Sequence, residues 1–458
     1  MKQVPPPGAT RLRLAARMRA AWVQPSRVIR NRSGAVAVLF AATASLVVGM
    51  GALATEGGAW YLTRRRAQTA VDSAAMAGAL ALTASQSHAT VVAAATEVAS
   101  RNHFAATTNT TVTVNNPPSA AAGALSGVAG SVEVIIRQTQ RTYLARLFLG
   151  SSISVGARAV ASVQSSGNVC ALGLSVLSFS GSSTVSATNC TLSSNGQTTS
   201  PVPLQISGST NVSAYSLASA GSCTGCDKVT TTLTRPYALY QPPAVNPYAG
   251  ADAAAIPSFN GGSCISKPDL TNLLPYETNG HKAYCADVKV AGGETVVLTP
   301  GTYYLNDASL TINNGSVTCP TCTGGLGITF VLTGTNTTKV GSVSISGSAT
   351  VVLNAPSLPA GSPYRGILFY RDEAAISQHP STGNPDIGLA GGPSTILQGG
   401  IYGASSDIRV TGNAASTCTA VVGSIVELGG SSNTSLDVSG CGLFGTAVPT
   451  ATTVRLAQ

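Results

Sequence analysis

The chain has 458 residues, of which 44% are hydrophobic and only 9% charged, and its formal net charge is +9. The length allows two or three domains. The positive charge does not point to nucleic acid: residues 1–66 carry eleven basic groups and one acid, whereas residues 67–458 carry fifteen basic and sixteen acidic groups.

Residues 1–33 are a basic leader that includes Pro5, Pro6, Pro7 and Pro25, and Arg11–Trp22 has the pattern of a basic amphipathic helix at a membrane surface. A disordered tail accounts for the same residues equally well. Gly34–Ala54 follows, 21 residues without a charge. As a helix it would be about 31 Å long, close to the thickness of a bilayer's hydrocarbon core. Eight basic residues precede it and no acid does, while Arg64, Arg65 and Arg66 beyond it are offset in part by Glu56 and Asp72. This asymmetry predicts a single-pass membrane anchor with the N-terminus cytoplasmic and the C-terminal bulk exported. A cleaved signal peptide ending at Ala52-Leu53-Ala54 is the alternative, but the apolar stretch exceeds the usual 7–15 residues. Ala37, Ala41, Ser45 and Gly49 recur every four residues, a spacing that lets two membrane helices approach closely.

Helical periodicity resumes at Ala67, Ala70, Val71, Ala74, Ala77, Gly78 and Ala81, which predicts an outward extension of the membrane helix with a break at Gly57-Gly58. A second helical stretch covers Ser85–His103. After Pro117-Pro118, Val132–Gln138 and Ile153–Val163 alternate as strands, with one or two helical turns at Tyr143–Leu149 between them. Residues 55–165 thus read as a long helix with a small α+β unit packed on its outer end.

Three quoted pieces stand together here: Arg32-Ser33-Gly34-Ala35-Val36-Ala37-Val38, then Glu56-Gly57-Gly58-Ala59-Trp60-Tyr61, then Arg66-Ala67-Gln68-Thr69-Ala70-Val71-Asp72-Ser73-Ala74-Ala75-Met76-Ala77-Gly78-Ala79. With the apolar span between them they resemble the N-terminal region of the TadG-like family of the tight-adherence (Flp) pilus assembly system. The resemblance covers about 50 residues. It implies a membrane-anchored, periplasm-facing component of pilus assembly or secretion that supports adherence, has other Tad/Flp assembly proteins as partners, and performs no catalysis. The family usually has Asp where this chain has Glu56. Related prepilins carry Glu at the fifth residue after the processing glycine, where this chain has Leu39, so prepilin processing is not expected. Some relatives carry a von Willebrand A domain with an Asp-x-Ser-x-Ser metal site. The nearest string here, Asp307-Ala308-Ser309-Leu310-Thr311, lacks the flanking strand and helix that would aim such ligands at one ion.

From about residue 166 to 458 the texture becomes β. An octamer recurs at Leu177–Thr184, Leu204–Asn211, Val343–Thr350, Ile408–Ala415 and Val426–Asn433: a short strand with two inward apolar residues, then a glycine for a sharp turn. Stacked in parallel, such turns bury their inward residues as ladders, which predicts a right-handed parallel β-helix; a β-sandwich is the alternative. All ten cysteines lie beyond the apolar span, which reads as disulfides in an oxidising compartment. Joining sequence neighbours gives Cys170–Cys190, Cys223–Cys226, Cys264–Cys285, Cys319–Cys322 and Cys418–Cys441, because short loops close most readily. The CxxC pairs at Cys223–Cys226 and Cys319–Cys322 also admit zinc or redox readings, but 92 residues separate them and no βαβ unit adjoins them.

β-Helices also carry polysaccharide lyases and hydrolases, so a membrane-tethered enzyme or binding protein for surface glycan is the competing hypothesis. Its best residues are Arg371, Asp372 and Glu373, with His379 and Asp386 nearby. Adjacent residues on a strand face opposite ways, so Asp372 and Glu373 would act together only on a loop. A solvated loop is the simpler reading. His88, His103, His281 and His379 share no metal-ligand spacing, and the sequence calls for no cofactor.

Overall fold

A computed structural model describes residues 32–457, apart from 85–86, 229, 260, 378–382, 393 and 413–415. The basic leader up to residue 31 and His379 lie outside the described residues. Helix α1 spans Arg32–Thr83 without interruption. Gly57 and Gly58 do not break it, contrary to expectation. Glycine weakens a helix by about 1 kcal/mol, and two such losses are small against the rest of a 52-residue element. Helix α2, His88–Arg101, starts at Ser87, whose hydroxyl accepts from the backbone N–H of Thr90 and caps the first turn.

The outer half of α1 and all of α2 lie on an antiparallel sheet. Its strands are β1 (Thr110–Asn115), β2 (Ser131–Arg141), β3 (Ser152–Gly181) and the last strand of the chain, Thr450–Leu456, in the spatial order β1, β2, β3, last. The alternation in β2 puts Val132, Val134 and Ile136 into a core with Ala67, Ala70, Val71, Ala74, Ala75 and Ala79 of α1 and with Val91, Ala95 and Ala99 of α2. Small helix residues bring the backbones close. Gly78 shows how close: a Cβ there would stand 2.9 Å from Cγ1 of Val132 and 3.4 Å from Cβ of Ala95.

β3 is 30 residues long and belongs to both parts of the molecule. Its first half pairs antiparallel with β2 and the last strand, and its second half pairs in parallel with Thr184–Ser194 and Thr419–Gly430. The boundary expected between residues 165 and 166 falls inside this strand. From here on the chain is mostly β. Parallel pairing gives one continuous ladder of buried residues: Val288, Leu310, Val343, Ile387, Ile408, Val426, Leu177 and Leu204. The first apolar position of every recurring octamer lies in this ladder. The octamer glycines stack as well: Gly430, Gly181 and Gly208 have φ of 97°, 92° and 62°, and a Cβ on Gly181 would meet the Gly430 carbonyl oxygen at 2.3 Å. Only glycine tolerates both that backbone and that approach.

The stacking order differs from the chain order. The turns at residues 168–219 lie at one end, and the chain then crosses to the far end and stacks back from Cys264 until Thr419–Gly430 meets β3. The crossing segment covers the outer face of the stack. Ala244, Tyr248, Ala251 and Phe259 bury there against Leu172, Tyr304, Val331, Tyr370 and Tyr402, a third core separate from the ladder interior.

Candidate functional site

The first half of α1 has a surface unlike the rest of the molecule. Val36, Val38, Leu39, Phe40, Leu46, Val47 and Met50 are all exposed. The few hydroxyls on this stretch are satisfied within the helix: Thr43 donates to the Leu39 carbonyl at 2.9 Å, Ser45 to that of Ala42 at 2.8 Å and Thr55 to that of Gly51 at 2.7 Å. A helix with no polar group left unpaired suits hydrocarbon. Among the described residues this is the one helix long and apolar enough to cross a membrane. Ala37, Ala41, Ser45 and Gly49 follow one another along a single face of it. Ala37, Ala41 and Ser45 are exposed, and among the described residues no atom lies within 4 Å of a Cβ placed at Gly49.

Glu56 is the first charged residue beyond the span. Its carboxylate accepts from the backbone N–H groups of Tyr143 at 3.2 Å, Ala145 at 3.3 Å, and Leu144, at the start of the short helix Arg146–Leu149. The sequence marks Glu56 as an acid beside Arg64–Arg66 and as a departure from Asp, but not as a cap. Its partners lie 87 to 89 positions away, and no local signal joins them.

All ten cysteines are in disulfides: Cys170–Cys190, Cys223–Cys226, Cys264–Cys285, Cys319–Cys322 and Cys418–Cys441. Both CxxC pairs are therefore internal bridges in this structure. Among the described residues no group of three or more His, Cys, Asp or Glu is placed to hold a metal. Asp307 of the Asp-x-Ser-x-Thr string caps the next turn instead, accepting from the N–H of Thr335 at 2.8 Å and its hydroxyl at 2.7 Å.

Of the candidate catalytic cluster, Arg371 and Asp386 pair inside the stack and Glu373 faces outward. Arg371 ends the strand Ile367–Arg371 fully buried, 3.3 Å from Asp386, and donates to the carbonyls of Gly341 at 2.9 Å and Val340 at 3.2 Å and to the Ser406 hydroxyl at 3.1 Å. Burial lowers its pKa, opposed by Asp386 and Asp372. Asp372 accepts from the Thr333 hydroxyl at 3.1 Å and from the Ala374 N–H at 3.0 Å, and Glu373 is exposed. A buried ion pair that ties three turns together is a structural use of these charges.

Under the crossing segment, Asp252 accepts from the hydroxyls of Tyr370 at 3.3 Å and of Tyr402. Burial raises its carboxyl pKa, the nearby charges of Glu373 and Asp372 add to the rise, and the two tyrosine hydrogen bonds oppose it. Another buried acid, Glu133 on β2, shows the reverse balance. Burial alone would raise its pKa, yet hydrogen bonds from Ser119 N at 2.9 Å and Asn115 Nδ2 at 2.7 Å, with Arg158 at 3.5 Å, hold it below the ordinary 4.5.

The geometry thus defines a protein with one apolar, unpacked helix half joined to a disulfide-bonded, mostly β body. Residues 34–85 of it match the family model described as putative Flp pilus-assembly TadE/G-like. The match ends two residues after α1 and so covers both halves of that helix. It supports a role in pilus assembly. No curated protein and no solved structure matches the chain.

Proposed function

We propose that this protein is an inner-membrane-anchored, periplasm-facing component of Flp pilus assembly or secretion that supports adherence. The observation that carries the reading is the coincidence of the family match at residues 34–85 with a helix that is exposed and apolar in its first half and packed on a sheet in its second. In this reading residues 1–33 form a cytoplasmic tail, 34–54 an uncleaved span, 55–165 the helix with its α+β unit, and 166–458 the β body. The eight basic residues before Gly34 support the cytoplasmic N-terminus. N-terminal sequencing of the mature protein checks it: a start at Thr55 or at Ala35 sinks the uncleaved anchor.

The β body is read as a right-handed parallel β-helix. The parallel ladders, the column of octamer glycines and the inward apolar residues support that reading. The partner face is Ala37, Ala41, Ser45 and Gly49, against which a helix of another Tad/Flp assembly protein packs. Between helices in lipid little hydrophobic force operates, so close van der Waals approach carries such a contact. The test is Ser45→Leu with Gly49→Leu. The expected outcome is normal membrane levels with loss of complex formation and of surface adherence. Exchanging Leu39 and Val47 for other large apolar residues is the silent control. A double variant that assembles and adheres like the parent removes this face from the assembly site.

A further inference from the structure

Residues 142–150 leave the sheet as a small closed loop. Thr142 bonds to the Gly150 carbonyl through its hydroxyl, and its N–H donates to the Ser151 carbonyl at 3.2 Å, which shuts the base. The tip is pinned to α1 by the three N–H bonds to Glu56. Glu56 stands two residues beyond Ala54, a rise of about 3 Å along the helix. The loop is therefore held at the level where the span ends.

Its outward side chains are unusual for a surface facing water. Tyr143 is 76% exposed, Leu144 47% and Leu149 56%, and the neighbouring turn of α1 adds Tyr61 at 57%. Basic groups flank these apolar ones. Arg141, Arg146 and Arg64 are exposed, and Arg65 lies 5.4 Å from the centroid of the Tyr61 ring and donates to its hydroxyl at 2.9 Å. The nearest acid, Glu56, already accepts the loop's N–H groups. Tyrosines among leucines at the end of an apolar span, ringed by arginines, match the interfacial layer of a bilayer in polarity and an anionic headgroup layer in charge.

We propose that residues 143–149 form a second membrane contact, a foot that beds in the anionic phospholipid surface of the membrane that α1 crosses. This rests on the reading of residues 34–54 as a span. The foot and the span are two points of attachment joined rigidly through Glu56. They fix the tilt and rotation of α1, and with them the height of the β body above the bilayer.

The experiment uses the full chain, with reporters placed on exposed positions, reconstituted in vesicles of phosphatidylethanolamine and phosphatidylglycerol. The variants Trp22→Phe/Trp60→Phe/Leu144→Trp and Trp22→Phe/Trp60→Phe/Leu149→Trp each carry one indole, on the foot. Trp22→Phe alone leaves Trp60 on α1 as the reference. The expected result is blue-shifted emission from both foot reporters, quenched by lipids brominated near the glycerol end and shielded from iodide. In phosphatidylcholine vesicles the quenching should fall at least about twofold, because the arginines lose their anionic partner. Reporters that iodide reaches and bromolipid does not, in protein that resists alkaline carbonate extraction, overturn the foot and leave the span standing. Shielding from both quenchers means that protein covers the loop, which also overturns it. Equal quenching in both lipids overturns the anionic preference. Release of the protein by carbonate overturns the span reading and the foot with it.

Discussion

The two halves of α1 are continuous in backbone and alike in apolar content, yet they meet opposite surroundings. Residues 36–50 present Val, Leu, Phe and Met outward with no described residue covering them, whereas residues 67–79 bury alanines and a glycine on α2 and β2. Side-chain size separates them. Large residues keep neighbouring backbones apart and suit fluid chains; small ones let a helix lie directly on a sheet, where each added methyl has no room.

A charge placed in each half should break the comparison most sharply. Ala74→Asp buries an unpaired carboxylate, with an expected cost of roughly 3 kcal/mol or more, so the unit packed on the sheet loses its resistance to protease while the protein stays in the membrane fraction. Leu46→Asp should do the opposite. It leaves the packed core untouched and opposes insertion by about 3 kcal/mol, read as lower membrane levels in a fractionation assay. If both variants fail in the same assay, the division of the helix into lipid-facing and sheet-facing halves is wrong.

Added bulk should separate the halves next. Gly78→Val presses on Val132 and Ala95 and is expected to cost about 1–3 kcal/mol in denaturant unfolding. A valine at Gly49 meets open space and should shift that unfolding by no more than about 0.5 kcal/mol.

The buried acid behind the packed half offers a pH test. The pKa of Glu133 is lowered in the folded state, so its contribution is full above the ordinary 4.5 and is lost as pH falls through the lower folded value. Glu133→Gln should remove about 1–3 kcal/mol at neutral pH. It should also flatten the acid limb of the unfolding curve; an unchanged limb would assign acid sensitivity to other groups. The smallest effect is expected at the junction of the halves, where Gly58→Ala should stabilise α1 by roughly 0.5–1 kcal/mol, measured by thermal circular dichroism.

Much of this organisation is legible in the sequence. The uncharged stretch, the alanine periodicity after Arg66 and the alternation in β2 each follow from one local rule. The octamers were readable because Leu177, Leu204, Val343, Ile408 and Val426 share one inward position. Their order in space was not, since Val426 neighbours Leu177 only because residues 234–263 carry the chain to the far end of the stack. The same crossing hides Tyr370 and Tyr402, whose positions on their strands would otherwise face water. The break expected at Gly57-Gly58 does not occur because the local cost of two glycines is small against the helix on either side of them. The cap from Glu56 to residues 143–145 depends on a tertiary contact that no spacing encodes.

The last strand, Thr450–Leu456, completes the sheet begun by β1 to β3 and sends Val454 into its core. The sheet that the chain begins first is therefore completed by its last strand. Without Thr450–Leu456, that side of β3 is an unpaired edge of the kind that recruits foreign strands. A product truncated before residue 450 would keep α1 and every cysteine, yet show that edge. Residues far apart in the chain thus close one sheet: only a chain that includes Thr450–Leu456 covers this edge of β3.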